Sequence, residues 1–212
     1  MDLNQTIAES LFENVQYVWE VLPKIKEFIW ELAFNLSTDF ERVGEDIWVG
    51  KGTTIERTAM IHGPVIIGRD CEIRHAAYIR GNVIVGNGVV IGNSAEVKNA
   101  ILFNGVKAPH FNYVGDSVLG FESHLGAGVI LSNLKSTKDN IKIKDSNGEH
   151  FETGLKKFGA VIGDKVEVGC NSVLNPGTII ERESIVYPLT FVRGIIPGQS
   201  ILKNDGSIIQ KT

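Results

Sequence analysis

Residues 61–97 have the sequence IHGPVIIGRDCEIRHAAYIRGNVIVGNGVVIGNSAEV, in which a branched apolar residue returns at every sixth position. A small or apolar residue stands four positions after each branched one, and glycine often follows the branched residue directly. Neither the period of a strand nor that of an α-helix produces a cycle of six. The cycle extends N-terminally beyond this stretch, and its branched positions are Val43, Val49, Ile55, Ile61, Ile67, Ile73, Ile79, Val85, Ile91 and Val97.

A repeat this short predicts a chain wound into a coil of short strands and tight turns, with three hexads in each coil. We expect an all-β fold, a parallel β-helix over residues 43–197. The branched residues point inward and stack on those of the next coil, and the glycines are expected to supply the backbone angles of the corners. About seven coils stacked at roughly 4.8 Å form a prism about 34 Å long.

Three segments interrupt or flank the repeat. Residues 1–42 are predicted to be a helical cap, helical from about Thr6 to Leu36, that covers one open end of the prism. An oligomerisation element is the alternative, because this segment carries much aromatic surface. An inserted loop at 133–160 projects from one corner, with a hairpin turn at Asp145-Ser146-Asn147-Gly148. Residues 198–212 are expected to end the chain as a hairpin around Asn204-Asp205-Gly206, or as a tail.

The composition excludes several classes of protein. The hydrophobic fraction of 43% and the charged fraction of 22% are ordinary for a soluble protein, and the net charge of −4 argues against a general nucleic-acid binder. No apolar run approaches the length of a membrane span, and no signal peptide is evident. The two cysteines, Cys71 and Cys170, lie in different repeats, so we expect no disulfide and a cytoplasmic location.

The repeat loses its rhythm between Ala95 and Asp116, where Phe103 and then Pro109 are expected to occupy the inward position. His110 lies in this break, and histidine is the side chain that titrates near neutral pH. Arg80 and Lys98 lie 18 residues apart (98 − 80), one full coil, so their side chains are predicted to stack on one face. Arginine binds phosphate in a bidentate manner.

The residues alone leave plainer interpretations open. His110 can also be interpreted as a simple turn residue. Arg80 and Lys98 can be interpreted as a solvated ladder of cations. Glu96 is equally compatible with a simple ion-pair partner for a neighbouring cation. Cys71 stands at an inward position of the repeat and is predicted to be core packing.

The hexapeptide period resembles the left-handed parallel β-helix acyltransferases over residues 43–197. A narrower resemblance is to the acetyltransferase domain of the bifunctional glucosamine-1-phosphate N-acetyltransferase/N-acetylglucosamine-1-phosphate uridylyltransferases, with the return after the insertion, at residues 153–159, looking closest to archaeal sugar-phosphate members. The motifs that carry it are Ala95-Glu96-Val97-Lys98-Asn99, Lys107-Ala108-Pro109-His110-Phe111-Asn112-Tyr113-Val114-Gly115-Asp116, Gly126-Ala127-Gly128, Ser132-Asn133 and the pair Asn133-Leu134.

This resemblance implies an acetyl-CoA-dependent N-acetyltransferase that acts on an amino-sugar 1-phosphate, above all glucosamine 1-phosphate, and that assembles as a homotrimer with each active site between neighbouring prisms. It implies that His110 is the general base. The implied ligands of the sugar phosphate are Arg80, Lys98, Tyr113 and Lys157, with Glu96 as an acidic residue of the pocket. The implied positions along the acetyl-CoA groove are Ala127, Asn133, Leu134 and Cys170.

The chain departs from the family pattern in two places. His124 stands in the substrate pocket where the family often has asparagine, which bears on the choice of sugar. Nothing in residues 1–42 resembles the glycine-rich loop of a nucleotidyltransferase, so uridylyl transfer is not expected.

Three other functions remain to be weighed against this prediction. A nucleotide-linked amino sugar is the alternative substrate, and a non-catalytic β-helix scaffold is the alternative without activity. The γ-type carbonic anhydrases share the scaffold but place two histidines five positions apart, a spacing that this chain lacks, so no metal is expected.

Overall fold

The computed structural model describes residues 1–144 and 148–211, and it confirms the predicted class: a mostly β fold of about eight turns, consistent with a left-handed parallel β-helix. The strands in chain order are β1 (Phe40–Gly44), β2 (Ile47–Gly50), β3 (Thr54–Ile55), β4 (Met60–Ile61), β5 (Val65–Ile67), β6 (Glu72–Ile73), β7 (Tyr78–Ile79), β8 (Val83–Val85), β9 (Val90–Asn93), β10 (Glu96–Leu102), β11 (Lys107–His110), β12 (Tyr113–Leu119), β13 (His124–Leu125), β14 (Ile130–Leu131), β15 (Lys142–Lys144), β16 (His150–Glu152), β17 (Ala160–Ile162), β18 (Glu167–Val168), β19 (Val173–Leu174), β20 (Thr178–Ile180), β21 (Ile185–Val186), β22 (Phe191–Val192), β23 (Ile195–Ile196), β24 (Ser200–Leu202) and β25 (Ile208–Gln210).

The parallel strands form the three faces of a prism. The first face contains β2, β5, β8, β17, β20 and β23, together with the second halves of β10 and β12. The second face contains β3, β6, β9, β11, β13, β18, β21 and β24. The third face contains β4, β7, β14, β19 and β22, together with the first halves of β10 and β12. Thus β10 and β12 run around the corner from the third face to the first.

The core is the stack of inward residues predicted from the repeat. Ile67, Ile73 and Ile79 are fully buried, and each coil places such residues directly above those of its neighbour, as with Ile67 and Val85. Cys71 is buried in the same stack, as predicted.

The glycines of the repeat have a different role from the one expected. A Cβ atom added to Gly50 would lie 2.7 Å from the carbonyl carbon of Gly68 in the next coil. The left-handed backbone angles of the corners are instead adopted by other residues, such as Asp70 (φ 55°) and Ala76 (φ 55°). These glycines therefore permit close approach between coils, because a side chain would collide with the backbone above it.

The rhythm is lost earlier than predicted, between Val97 and Leu102, and it slips again between Val114 and Leu119. Leu102, not Phe103, lies beside Val85, and Ala108, not Pro109, lies beside Ile91. The coil shortens by one residue at the corner between the third and first faces. The residues at this corner in the two affected coils are Asn99 (φ 47°) and Asp116 (φ 48°).

The N-terminal segment is less helical than predicted, and it lies along a side of the prism. Three 3₁₀ helices, Leu3–Gln5, Glu9–Phe12 and Val18–Lys24, precede α1 (Ile25–Ala33), the single α-helix of the described residues. Pro23 lies inside the third of them, since it cannot donate the hydrogen bond of an α-helix interior. Helix α1 packs against β5, β8 and β10 of the first face.

The reason for this position is a column of apolar residues that point outward from the first face. Ile66, Ile84 and Ile101 are the middle residues of consecutive coils on this face, and all are fully buried. Covering such a column stabilises the fold by about 25 cal/mol per Å² of apolar surface removed from water. The segment is consequently a lateral cover rather than the end cap that the sequence suggested.

The first hexad also differs from the prediction. Val43 is 54% exposed and lies in β1, which pairs with β2 in an antiparallel hairpin rather than within the coil. At the other end, β24 and β25 form the antiparallel hairpin expected around Asn204-Asp205-Gly206.

The insertion contains an antiparallel hairpin, in which β15 pairs with β16. The predicted turn residues Asp145, Ser146 and Asn147 lie outside the described residues. The hairpin folds back on the prism, and its apolar residues Ile141 and Ile143 are buried. In the described part of the chain, no helix is both long and apolar enough to cross a membrane.

Candidate active site

The corner where the third face turns into the first holds a compact polar cluster, which we name the Asp116 network. The Asp116 carboxylate accepts hydrogen bonds from Lys98 Nζ at 3.2 Å, from Asn99 Nδ2 at 2.9 Å and from Asn133 Nδ2 at 2.5 Å. Asn133 Nδ2 also donates to the Tyr113 hydroxyl at 3.2 Å. The network joins three successive coils at one corner.

The shortened coils explain why these residues meet. Lys98 lies beside Gly115, and Glu96 lies beside Tyr113, so that Asp116 comes next to Asn99 and Lys98 at the corner. The side chain of Asp116 is 8% exposed, and that of Lys98 is 24% exposed. Since a buried carboxylate is costly without partners, the three donors around Asp116 stabilise its charged form.

Tyr113 forms the wall of this network toward the third face. Burial raises the pKa of the Tyr113 phenol, and the negative charges of Asp116 and Glu96 raise it further. The phenol is therefore held protonated, and it can donate a hydrogen bond to a ligand on the third face.

A second ion pair lies beside the network on the same face. Arg80 and Glu96 are joined at 2.7 Å, and the Arg80 guanidinium lies 5.9 Å from the centre of the Tyr78 ring. The hydrogen bond to Glu96 raises the pKa of Arg80. The face thus brings Arg80, Glu96, Lys98 and Tyr113 together, as predicted, but each of its two cations already has a carboxylate partner.

The return of the insertion completes this corner. Asn133 O accepts a hydrogen bond from Phe158 N at 3.0 Å, and Leu134 forms an isolated antiparallel bridge with Lys157. Gly159 N donates to Asp116 O at 2.8 Å. The backbone of the insertion is therefore fixed to the network, whereas the Lys157 side chain is exposed.

His110 lies at a different corner, where the second face turns into the third. Its side chain is exposed, and its ring lies 6.5 Å from that of Phe111. The buried Asn112 fixes the corner backbone: its Oδ1 accepts from His110 N at 3.1 Å, and its Nδ2 donates to Gly126 O at 2.9 Å. The imidazole makes no hydrogen bond or ion pair with the other described residues.

Two of the predicted cofactor positions stack above His110. Gly128 N donates to His110 O at 3.0 Å, and Asn171 N donates to Ala127 O at 2.8 Å. Ala127 and the exposed Cys170 therefore continue the column of His110 into the next two coils. Asn133 and Leu134, by contrast, lie at the corner of the Asp116 network, so the four cofactor positions divide between two corners.

His124 lies on the second face, away from both groups. Its Nδ1 lies 2.7 Å from Glu167 Oε2, and its backbone is next to Lys107 in β11. The structure thus places His124 closer along the sheet to the strand of His110 than to the sugar-phosphate residues.

The two corners are separated by the width of one face. Gly115 lies five positions after His110 (115 − 110), a span of at most about 17 Å for extended chain. Sequence reasoning assigned no role to Asp116 or Asn112. The sequence signal for Asp116 is a polar residue at the point where a hexad loses one position. The sequence signal for Asn112 is its position two residues after the proposed base.

The fold and these two corners define the protein as a β-helix with hexapeptide repeats and polar clusters at its edges. A family model, the GMPPB C-terminal domain, matches residues 61–187, which are 127 of the 212 residues. The chain belongs to this family.

Curated relatives resemble parts of this chain. A bifunctional sugar-1-phosphate nucleotidylyltransferase/acetyltransferase of Sulfurisphaera tokodaii is 37% identical over 93 residues, 44% of this chain and 23% of that protein. The bifunctional protein GlmU of Methanococcus vannielii is 34% identical over 117 residues, 55% of this chain and 28% of that protein. GlmU of Paraburkholderia phytofirmans is 28% identical over 85% of this chain and 36% of its own length. The chain thus spans between about a quarter and a third of these relatives.

Solved structures show weaker similarity. PerB from Caulobacter crescentus, in complex with CoA and GDP-perosamine, has a TM-score of 0.47 at 17% identity, over 74% of this chain and 56% of that one. AntD, an N-acyltransferase from Bacillus cereus in complex with dTDP and coenzyme A, has a TM-score of 0.49 at 14% identity, over 82% of this chain and 91% of that one. Neither similarity bears on the substrate of this chain.

Proposed function

We propose that this chain is an acetyl-CoA-dependent N-acetyltransferase that acts on an amino-sugar 1-phosphate, with glucosamine 1-phosphate as its preferred acceptor. The observation that carries the proposal is the Asp116 network with the adjoining Arg80–Glu96 pair, because it gathers the matched sugar-phosphate positions on one face. The names of the bifunctional relatives, which combine sugar-1-phosphate and acetyltransferase activities, support this substrate class.

His110 is the proposed general base. An amine must lose a proton when it attacks a thioester, and an exposed imidazole next to a fixed backbone is suited to accept it. The new C–N bond forms as the C–S bond breaks, and CoA leaves as the thiol once it regains a proton. Backbone N–H groups along the coil are suited to stabilise the oxyanion.

The acceptor is proposed to bind on the third face. The Tyr113 phenol, held protonated, donates a hydrogen bond to the sugar, and Lys157 contributes the positive charge for the phosphate, since its ammonium group has no ion-pair partner among the described residues. Arg80 and Lys98 each keep N–H donors beyond the contacts with Glu96 and Asp116, and we propose that these donors also bind the phosphate.

The acetyl donor is proposed to lie along the column of His110, Ala127 and Cys170. Within one chain, this column and the Asp116 network are one face apart. A homotrimer, in which the His110 corner of one copy approaches the Asp116 network of another, would bring base and acceptor together, and we propose this assembly. We also propose that the enzyme works in the cytoplasm.

The proposal is tested by measuring thiol release from acetyl-CoA with a panel of acceptors. The panel contains glucosamine 1-phosphate, galactosamine 1-phosphate, free glucosamine and UDP-glucosamine. The expected result is rapid release with a hexosamine 1-phosphate and slow release with free glucosamine. Release with UDP-glucosamine alone would identify a nucleotide-linked acceptor, and no release with any compound would overturn the proposal.

A non-catalytic assembly module is the second candidate. The observation that favours it is the internal pairing of Arg80 with Glu96 and of Lys98 with Asp116, which neutralises these two cations without a ligand. This candidate requires that acetyl-CoA does not bind and that His110 can be replaced without consequence.

A further inference from the structure

A cavity of about 900 Å³ lies between the inserted hairpin and the last coils of the prism. The hairpin strands β15 and β16 form one side, and the turns at residues 175–177 and 193–195 form the other. Its volume is within the range of sites that bind small molecules. It adjoins the corner of the Asp116 network, with which it shares Leu134, but neither His110 nor a proposed ligand of the sugar phosphate lines it.

The cavity has a fixed shape because the hairpin is docked on the coil. Ile141 and Ile143 are buried, and a Cβ atom added to Gly177 would lie 2.6 Å from Ile141 Cγ2. Gly177 N donates to the carbonyl oxygens of both Phe158 and Gly159, at 3.0 and 2.9 Å. The hairpin side and the coil side are thus held together by packing and by hydrogen bonds.

The wall of the cavity carries a concentration of positive charge. Lysines and an arginine from both sides line it, together with hydroxyl groups, and these polar residues include Lys135, Ser136, Thr137, Lys142, Lys144 and Arg193. No aspartate or glutamate of the described chain lines it, although the protein as a whole has a net charge of −4.

Most of these cations lack a carboxylate partner. Lys144 and Arg193 form no ion pair with another described residue, and Lys135 Nζ reaches the carbonyl oxygen of Asn140 at 3.5 Å. Lys142 is paired with Glu152 at 2.5 Å, a contact that raises the pKa of the lysine. Like charges arranged around one concave space repel each other, and a multivalent anion relieves that repulsion.

We propose that this cavity is a binding site for a nucleoside diphosphate, separate from the groups proposed for acetyl transfer. The diphosphate lies between Lys144, from the hairpin, and Arg193, from the coil, whose guanidinium suits a bidentate phosphate contact. Ser136 and Thr137 supply hydroxyl donors for the remaining phosphate oxygens. The apolar part of the wall, which includes Leu134 and Ile195, receives the nucleoside.

The test is calorimetric titration of the full chain with ADP, inorganic pyrophosphate and adenosine, at two salt concentrations. The double variant Lys144→Ala/Arg193→Ala removes two exposed cations from the cavity. The matched control Lys51→Ala/Arg57→Ala removes two exposed cations far along the prism, with the same change in net charge.

ADP is expected to bind saturably, more tightly than pyrophosphate or adenosine. The cavity variant is expected to weaken ADP binding by about tenfold or more, since charge-assisted contacts are lost, and the control by less than about twofold. The proposal is overturned if the wild-type chain does not bind ADP saturably, or if both double variants weaken binding equally.

A titration with CoA, which also carries a diphosphate, identifies the source of the ligand. A parallel loss of CoA affinity in the cavity variant would assign the diphosphate to the acetyl donor and overturn the separate site, whereas retained CoA affinity supports an independent nucleotide. Because all of these measurements are of binding, they stand whether or not the chain transfers acetyl groups.

Discussion

The two polar corners of the prism differ in how completely the hydrogen-bonding and charged groups of their side chains have partners. At the corner of the Asp116 network the carboxylate has three donors, and the insertion covers it. At the corner of His110, Asn112 fixes the backbone, but the imidazole is exposed and unbonded. A satisfied buried network sets geometry, whereas an exposed titratable group is available for chemistry. The difference supports the proposal that His110 is the reactive group, with the Asp116 network fixing the geometry of its own corner.

The largest expected effect is on acetyl transfer, at the corner of His110. His110→Ala is expected to reduce acetyl transfer by a factor of about 10²–10⁴, the contribution of general base catalysis. The melting temperature should not change, because the ring contributes little packing. His75→Asn, at another exposed histidine of the coil, is the matched control and should transfer acetyl groups normally. Equal turnover in His110→Ala and in the wild-type chain would contradict the proposed base.

The second effect is on stability, at the corner of the Asp116 network. Asp116→Asn places an amide against the amides of Asn99 and Asn133 and leaves Lys98 without its partner. We expect it to lower the free energy of unfolding by about 2–3 kcal/mol, since buried polar groups lose their bonds. Urea denaturation measures this change.

The matched control for this change is Glu96→Gln, which breaks a more exposed ion pair on the same face. It is expected to cost less than about 1 kcal/mol. Equal destabilisation by the two substitutions would show that Asp116 is not the anchor of its corner.

The third effect concerns the inserted hairpin, which packs beside the corner of the Asp116 network. Gly177→Ala introduces a methyl group 2.6 Å from Ile141 Cγ2, at a glycine with φ of 81°. Gly206→Ala is the control, because Gly206 has φ of 84° but open space around it. We expect Gly177→Ala to cost about 1–2 kcal/mol more than Gly206→Ala, the energy of overpacking. Thermal unfolding that is equal in both variants would mean that the hairpin is not docked as described.

The smallest effect is the pH dependence that Tyr113 confers. Burial raises the pKa of Tyr113, so the folded chain keeps a proton that the unfolded chain, with a tyrosine pKa of about 10, loses. Stability therefore falls as the pH rises above about 10, because the unfolded state binds fewer protons. Tyr113→Phe should make the fall in melting temperature between pH 9 and 11 shallower.

Tyr187→Phe, which removes an exposed phenol, is the control for this experiment and should keep the slope of the wild-type chain. If both substitutions leave the slope unchanged, the Tyr113 phenol does not contribute to the alkaline loss of stability.

Much of the fold was predictable, because a single physical constraint repeats in every coil. Ile67, Ile73 and Ile79 had to be inward once the cycle of six was seen. The displaced rhythm was harder to place, because Leu102 and Phe103 are adjacent and both are apolar. A shift of one residue in register moves a side chain to the other side of a strand, and the sequence alone does not choose between them.

The sequence contains a signal that the N-terminal segment covers the first face, although it was predicted to cover an end of the prism. Ile66, Ile84 and Ile101 form an apolar column next to the inward positions, a sign that one outer face is covered. The N-terminal segment is the partner that covers this column, whereas the general need to cover the open ends of a prism predicts an end cap.

The sequence by itself determined the β-helix and the grouping of Arg80 with Lys98, because both follow from counting along the chain. Only the tertiary structure decided that Lys98 is held by Asp116, that Arg80 is held by Glu96 and that His110 lies one face away. These relations depend on which coils stack and which way each corner turns. Contacts between residues far apart in the chain determine the stacking of the coils and the direction of each corner. The shortened coils and the insertion that closes over Asp116 provide these contacts.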